Sequence, residues 1–290
     1  FNVDELIASD DKRRALLTSI EEKKAAQNAA SQKMTSTSTP ITPEERAALI
    51  EEMKTLKEGL KVIEDEYAIV LAEWQKLMLA VPNIPDISVP DGDDDSGNME
   101  VKVWGDKKQF DFQLKSHIEI MEALDIADFE RGVEVAGFRG FFLKNGGAEL
   151  CFAIWQYAKD FWTKRGFQFM IVPSLVRKQT LMGTGYLPGG EDDLYVTQDE
   201  DYLAGTGEVA AMSYFADSVI DRSKFPIKVL AFSPCFRREA GSHSKDVKGL
   251  IRVHEFFKLE QIVLCEANHA ESVKYHEEIN RNTEEFIESL

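Results

Sequence analysis

Long hydrophobic runs are missing from this sequence. No apolar stretch approaches the ~18 residues that would cross a bilayer as a helix, so a protein built on membrane-spanning helices is not expected. Cysteine is scarce as well. Its three copies, Cys151, Cys235 and Cys265, are odd in number and widely spaced, with no C-x-x-C pair, which argues against a disulfide framework or a thiolate zinc site and for a reducing compartment. The opening Phe1-Asn2-Val3-Asp4-Glu5 lacks the basic and apolar regions of a secretory leader, so the cytoplasm is the expected location. Positive charge is in deficit, with 34 Lys and Arg against 51 Asp and Glu and a formal net charge of −17. Indiscriminate nucleic-acid binding is thereby excluded, and an RNA partner would need a local basic surface.

The rest of the composition is that of a folded soluble chain, 43% hydrophobic and 29% charged over 290 residues, enough for roughly two domains at ~150 residues each. The sequence opens without Met and closes on Glu284-Glu285-Phe286-Ile287-Glu288-Ser289-Leu290, which reads as helix interior without a stop signal. It is therefore expected to be a piece of a longer protein.

Asp10 to Met34 contains no Gly or Pro and reads as one long helix. A Ser/Thr/Pro stretch from Thr35 to Pro43 interrupts it, and Thr42-Pro43-Glu44-Glu45 supplies an N-cap, a Pro at the first helical position and acids for the first turn. In the second helix Leu49, Met53, Leu56, Leu60, Ile63, Tyr67, Val70, Trp74 and Leu77 follow a 4-3 spacing throughout, a heptad seam. The first helix answers with Leu16, Ile20, Ala30 and Met34, interrupted by Lys23 and Gln27. Unlike seams favour an antiparallel hairpin over a parallel homodimeric coiled coil. Such an arm suits an RNA-binding element as well as it suits a spacer or dimerisation strut. Charge leans towards the former: Asp10–Met34 carries six cations (Lys12, Arg13, Arg14, Lys23, Lys24, Lys33) against four acids, whereas Glu44–Ala80 carries five against nine.

Val81 to Pro90, with three prolines, ends the hairpin, and Asp91 to Gly97 reads as linker. Domains are expected at 1–90 and 91–290. The run Asp93-Asp94-Asp95 lacks EF-hand spacing and reads as a solvated loop. Farther on, an amphipathic helix from Gly147 to Arg165, a strand from Phe167 to Pro173, a glycine-rich loop at 182–190 and strands at Lys228–Phe236 and Leu250–Leu264 give an α+β class, helices on an antiparallel sheet. In the last strand, alternation places Arg252, His254, Phe256, Lys258 and Glu260 on one face. Arg237 and Glu239, and likewise Thr206 and Glu208, would share a face if their segments stay extended. Arginines, carboxylates and an aromatic on a sheet face fit a ligand with phosphates, an ammonium and a flat base. For any one strand, a solvated face with incidental ion pairs is the plainer reading.

Several ordered motifs, Gly183-Thr184-Gly185-Tyr186-Leu187-Pro188, Thr206-Gly207-Glu208, Phe236-Arg237-Arg238-Glu239-Ala240-Gly241-Ser242 and Lys245 through Glu260, resemble those of bacterial-type seryl-tRNA synthetases. The hairpin falls where that family carries its tRNA-binding arm. The resemblance implies a class II synthetase core, a homodimer formed through motif 1 (the Gly147–Arg165 helix and the strand after it), and substrates serine, ATP and tRNA, with Mg2+. By motif, Arg237 would hold the α-phosphate and Arg252 the distal phosphates, with Phe256 stacked on adenine. Glu260 with Thr206 and Glu208 would read serine's ammonium and hydroxyl, Arg237 lying beside them, and Glu239 would orient the arginines or the adenine amine. The catalytic set so implied is Arg237, Glu239 and Arg252, with no metal-ligating side chain among these residues.

The family's pattern is not followed throughout. Glu255 stands where the family commonly has Gln, on the strand face away from the site. Gly207 stands where Ala is commoner, which implies a looser loop. Motif 3 is absent from these residues, so they would form part of an active site and by themselves activate serine poorly. Cys235 reads as a small buried strand residue, His254 as a structural histidine and His243 as a surface side chain. A non-catalytic synthetase-like protein binding RNA or a partner is the alternative, and a carrier-protein ligase of the same superfamily is disfavoured because such relatives lack the arm.

Overall fold

A computed structural model describes residues 1–35, 42–240 and 248–290. The connection inside the hairpin at 36–41 and the part of motif 2 that holds Gly241, Ser242, His243 and Lys245 to Val247 lie outside the described residues. The chain forms two compact units, Phe1–Gly105 and Asp106–Leu290.

The first unit is dominated by two helices, α1 (Val3–Thr35) and α2 (Pro43–Leu79). Thr42 begins α2 with a reciprocal capping box: its side chain accepts from the Glu45 N–H (3.2 Å) while its own N–H donates to Glu45 Oε2 (2.8 Å). All nine seam positions of α2 are buried or half-buried, with Leu60 and Val70 at the centre. Lys12 pairs with Glu66 (3.1 Å), Arg13 lies 4.5 Å from the Trp74 ring centre and Lys24 pairs with Glu64 (2.7 Å), so the helices run antiparallel. Lys23 does not break the packing. It fits because its Nζ passes over Gly59, where a Cβ would stand 3.6 Å away.

The second unit runs α3 (His117–Ala123), β1 (Ala127–Asp128), α4 (Phe129–Ala136), β2 (Phe142–Leu143), α5 (Gly146–Thr163), β3 (Gln168–Ile171), β4 (Leu175–Val176), α6 (Lys178–Gly183), β5 (Tyr195–Val196), β6 (Tyr202–Leu203), α7 (Glu208–Ser213), β7 (Ile227–Phe236), β8 (Glu255–Leu264) and α8 (His269–Glu288). Gly166, at φ +86°, turns the chain out of α5 and into β3. The principal sheet has the order β3-β7-β8, parallel between β3 and β7 and antiparallel between β7 and β8, and a smaller antiparallel sheet has the order β4-β6-β5.

Alternation along β7 divides the core. One face puts Leu230 against Ala158, Trp162, Phe167 and Phe286 under α5 and α8, and the other puts Val229 and Ala231 against Val172, Ala211 and Ile262 under α7. Gln261 sets the register of α8, accepting from Asn282 Nδ2 (3.0 Å) and donating to the Ile279 carbonyl (3.1 Å). At about 25 cal/mol per Å2, interdigitated apolar layers of this kind supply most of the stabilisation of such a sheet.

Three expectations of extended structure are corrected. The last strand starts at Glu255 rather than Leu250, because its partner β7 ends at Phe236, opposite Glu255. Arg252 therefore sits in the approach loop, where the neighbouring Leu250 N–H is held by His117 Nε2 (3.3 Å). Arg237 and Glu239 do not share a strand face, since β7 ends at Phe236 and Glu239 takes a left-handed φ of +55°. Thr206 and Glu208 are not extended either: Glu208 is the first residue of α7.

Candidate active site

The site forms where α7 begins against β8. Thr206 is only 2% exposed, and its hydroxyl donates to Glu260 Oε1. The Glu208 N–H donates to the other oxygen, Oε2, at 2.8 Å. A carboxylate thus satisfies a buried hydroxyl and a backbone donor at the start of a helix, where negative charge is favoured. Gly207, between them, is buried and in ordinary helical conformation (φ −72°, ψ −19°). A Cβ there would lie 3.0 Å from Glu260 Oε2 and 3.1 Å from Ser233 Oγ. The loop is therefore tight, not loosened by its glycine. A cleft of about 340 Å3 lined by Glu208, Met212, Glu260 and Ile262 opens beside this carboxylate.

Arg237 follows β7 directly. Its N–H donates to the His254 carbonyl (2.9 Å), and His254 Nδ1 is 2.9 Å from the Arg237 carbonyl, which gives the histidine a structural partner. The guanidinium donates from Nε to the Gly205 carbonyl (3.3 Å) and lies 5.4 Å from the Phe256 ring centre. Phe256 also lines an apolar cavity of about 540 Å3, together with Phe138, Tyr195, Phe236 and His254. Arg252 and Glu239 meet across the turn at 2.5 Å. The structure thus groups Thr206, Glu208 and Glu260 around one carboxylate, Arg237 with Phe256 beside them, and Arg252 with Glu239.

Two further residues belong to this cluster. Tyr186, in the glycine-rich loop, has its phenol pushed above its ordinary pKa, first by burial and then by the negative charge of Glu208, with Arg237 pulling the other way and Thr206 hydrogen bonding to it. Lys258 reaches Glu260 Oε1 at 2.9 Å. The alternation of β8 puts Lys258 on the site face, but its partner depends on side-chain reach, which spacing does not encode. Cys235 is fully buried on the floor of this face, its thiol held up in pKa chiefly by burial.

Residues 1–85 match the family model described as the seryl-tRNA synthetase N-terminal domain, and residues 193–290 match the class II tRNA synthetase core domain (G, H, P, S and T). Along its whole length the chain is 39% identical to the serine-tRNA ligase of Deinococcus radiodurans, over 291 residues that make up 68% of that protein. The chain belongs to the seryl-tRNA synthetase family. A second serine-tRNA ligase, from an Arthrobacter species, is 38% identical over 98% of this chain and 66% of its own length. The chain therefore spans about two thirds of the length of these seryl-tRNA synthetases. Among solved structures, the Pyrococcus horikoshii seryl-tRNA synthetase complexed with ATP aligns over 99% of the chain at a TM-score of 0.81 and 28% identity. The Naegleria fowleri cytoplasmic enzyme in complex with AMP aligns over the same share at 0.79, also with 28% identity. The function that goes with membership is that of a serine-tRNA ligase. These relatives support the ligase reading and give no support to the non-catalytic alternative. Among the described residues no helix is long and apolar enough to cross a membrane.

Proposed function

We propose that residues 91–290 bind serine and ATP side by side for adenylate formation, that residues 1–90 form the arm that engages tRNA, and that the protein works in the cytoplasm. The observation that carries the reading is the Glu260 carboxylate, fixed by Thr206 and the Glu208 N–H and open to a small cleft. Only acceptors face that cleft from Glu260, which suits a ligand bearing an ammonium and a hydroxyl. Glu208 adds a second carboxylate, and Tyr186 hydrogen-bonds with Thr206 beside it.

In the proposed reaction a serine carboxylate oxygen attacks the α-phosphorus of ATP, the bond to the bridging oxygen breaks and pyrophosphate leaves. The terminal hydroxyl of tRNA then attacks the seryl carbonyl and AMP leaves. No side chain becomes covalently attached, so the protein acts by positioning and by charge. Arg237, held by Gly205 and lying near Phe256, meets the α-phosphate while Phe256 and its apolar cavity take the adenine. Arg252 takes the distal phosphates, and Glu239, its present partner, orients the arginines or the adenine amine. Among the described residues no three His, Cys, Asp or Glu side chains could together hold a metal. Magnesium, which the family resemblance implies, would add charge at the nucleotide phosphates when bound, while the residues named here bind and orient serine and ATP.

A homodimer is proposed through α5 and β3, whose outer surfaces expose Leu150, Phe152 (77%) and Ile171 (75%). Apolar side chains this exposed on adjacent elements fit a self-complementary interface.

Pyrophosphate exchange with serine and with alanine tests the reading in the enzyme that carries this chain. Serine should drive exchange and alanine should do so far less, because a methyl in place of the serine hydroxyl leaves the acceptor position that the hydroxyl would fill facing an apolar group, a loss of about 1–3 kcal/mol. Equal rates would overturn the assignment of Glu260.

A further inference from the structure

Glu260 is almost fully engaged before any ligand arrives. A carboxylate oxygen offers about two acceptor positions, so the pair offers roughly four. On Oε1 both are taken, by the Thr206 hydroxyl and by Lys258 Nζ at 2.9 Å. On Oε2 one is taken, by the Glu208 N–H at 2.8 Å. Among the described residues one position remains, whereas serine would bring two kinds of donor.

With both serine donors read by Glu260, one partner must yield, and the three are not equally free to do so. Thr206 is buried in a tight loop, and the Glu208 donor is backbone at the first turn of α7. Gly207 between them leaves no slack, with its vacant Cβ position already 3.0 Å from Oε2. Lys258 is different. Its ammonium sits at the end of a flexible four-carbon stem, and its side chain is 28% exposed beside a Glu260 side chain that is 18% exposed.

We propose that Lys258 is a stand-in for the substrate's ammonium: it occupies Oε1 of Glu260 in the empty site and is displaced when the serine ammonium binds. This inference rests on the reading of Glu260 given above and deepens it. Exchanging one cation for another keeps the half-buried carboxylate compensated at both ends of the binding step, whereas a site with no cation would hold an unpaired charge between turnovers. The arrangement costs affinity. Serine meets a site whose competent state, with Lys258 swung away, is only a fraction of the population, and its apparent Kd rises by the inverse of that fraction. Lys258 is thus a positioning residue, and it touches none of the reacting atoms.

The test is Lys258→Met in the enzyme that carries this chain, since Met keeps the apolar stem without the charge. The serine KM in pyrophosphate exchange at saturating ATP should fall about five-fold or more while kcat stays within about two-fold, as expected when a competing ground-state contact is removed. Lys258→Arg, which retains a cation, should keep the KM at or above its original value. The inhibition constant of 3-hydroxypropanoate, which is serine without its ammonium, should stay within about two-fold, because that ligand has nothing to exchange with Lys258. Should the Met variant melt early, Lys258→Gln supplies the same comparison. A serine KM that is unchanged or raised in the neutral variants, or an equal gain for 3-hydroxypropanoate, would overturn the inference while leaving the Glu260 reading in place. Absence of serine-dependent exchange in the unaltered enzyme would sink both.

Discussion

Arg252 and Glu239 are 2.5 Å apart, although neither lies in a strand and 12 residues separate them in the chain. The contact exists because Glu239 adopts φ +55° just after β7 and Arg252 sits just before β8. The Arg252 side chain is 37% exposed and that of Glu239 14%, so the arginine is the member that can reach outward. ATP bound as proposed would draw Arg252 from this carboxylate to phosphate oxygens.

Arg252→Lys should accordingly raise the ATP KM about ten-fold with little change in the serine KM, because lysine keeps the charge and loses the planar fork that grips two oxygens. Pyrophosphate exchange with ATP and serine varied in turn separates the two constants.

For Arg237→Ala, adenylate formation should fall by about 10^2 to 10^3, the usual scale for removing one donor aimed at developing charge. Binding of tRNA should hardly change. Single-turnover adenylate formation and filter binding of labelled tRNA read the two effects separately, and a matching loss in both would show that Arg237 supports the fold rather than the phosphate.

Gly207→Ala is expected to harm the site without harming the fold. The backbone there accepts any L-residue, but the added methyl meets Glu260 Oε2 at 3.0 Å and Ser233 Oγ at 3.1 Å, and Glu260 cannot retreat without loosening its hold on Thr206 or the Glu208 N–H. Serine KM should rise several-fold while the melting temperature moves by no more than ~2 °C, corresponding to a change below about 1 kcal/mol. A variant with normal KM would show that Ser233 moves instead.

In the arm, Gly59→Ala should stabilise α2. Its Cβ would make an ordinary 3.6 Å contact with Lys23 Nζ, and replacing glycine by alanine inside a helix is worth about 0.8–1 kcal/mol. Thermal unfolding followed by far-UV circular dichroism should show a higher midpoint for the arm's transition.

Much of this architecture is legible in the sequence because it depends on short-range patterns. The heptad of α2 and the Thr42-Glu45 capping box are set within a few residues, and the structure places them as the spacing predicts; on α5, Ile154, Ala158 and Phe161 pack inward as their spacing predicts, whereas Leu150 and Tyr157 of the same predicted face are exposed. Legibility declines where geometry is set from a distance. The parallel pairing of Phe169 with Leu230 spans 61 residues, and no local signal announces its direction. The left-handed turn at Glu239 occurs in a residue type that does not ordinarily favour it. Alternation located Phe256 and Glu260 correctly on one face of β8, yet it misplaced Arg252 by extending the strand past the end of its partner. Tyr186 and Lys258 were visible as letters in motifs, while their roles come from what their side chains reach.

The interhelix contacts of α1 bear on electrostatics in the arm. Of its six cations between Asp10 and Met34, Lys12 and Lys24 answer Glu66 and Glu64, Arg13 is committed to Asp10 and the face of Trp74, and Lys23 lies in the seam over Gly59. Arg14 and Lys33 stand exposed. Three of the six cations therefore already answer a carboxylate of the hairpin, which reduces the positive charge that α1 offers a polyanion. If Arg14, Lys23 and Lys33 alone supplied the arm's phosphate contacts, the logarithm of tRNA affinity would fall with the logarithm of salt at a slope of about −2 to −3 rather than the steeper dependence that six free cations would impose.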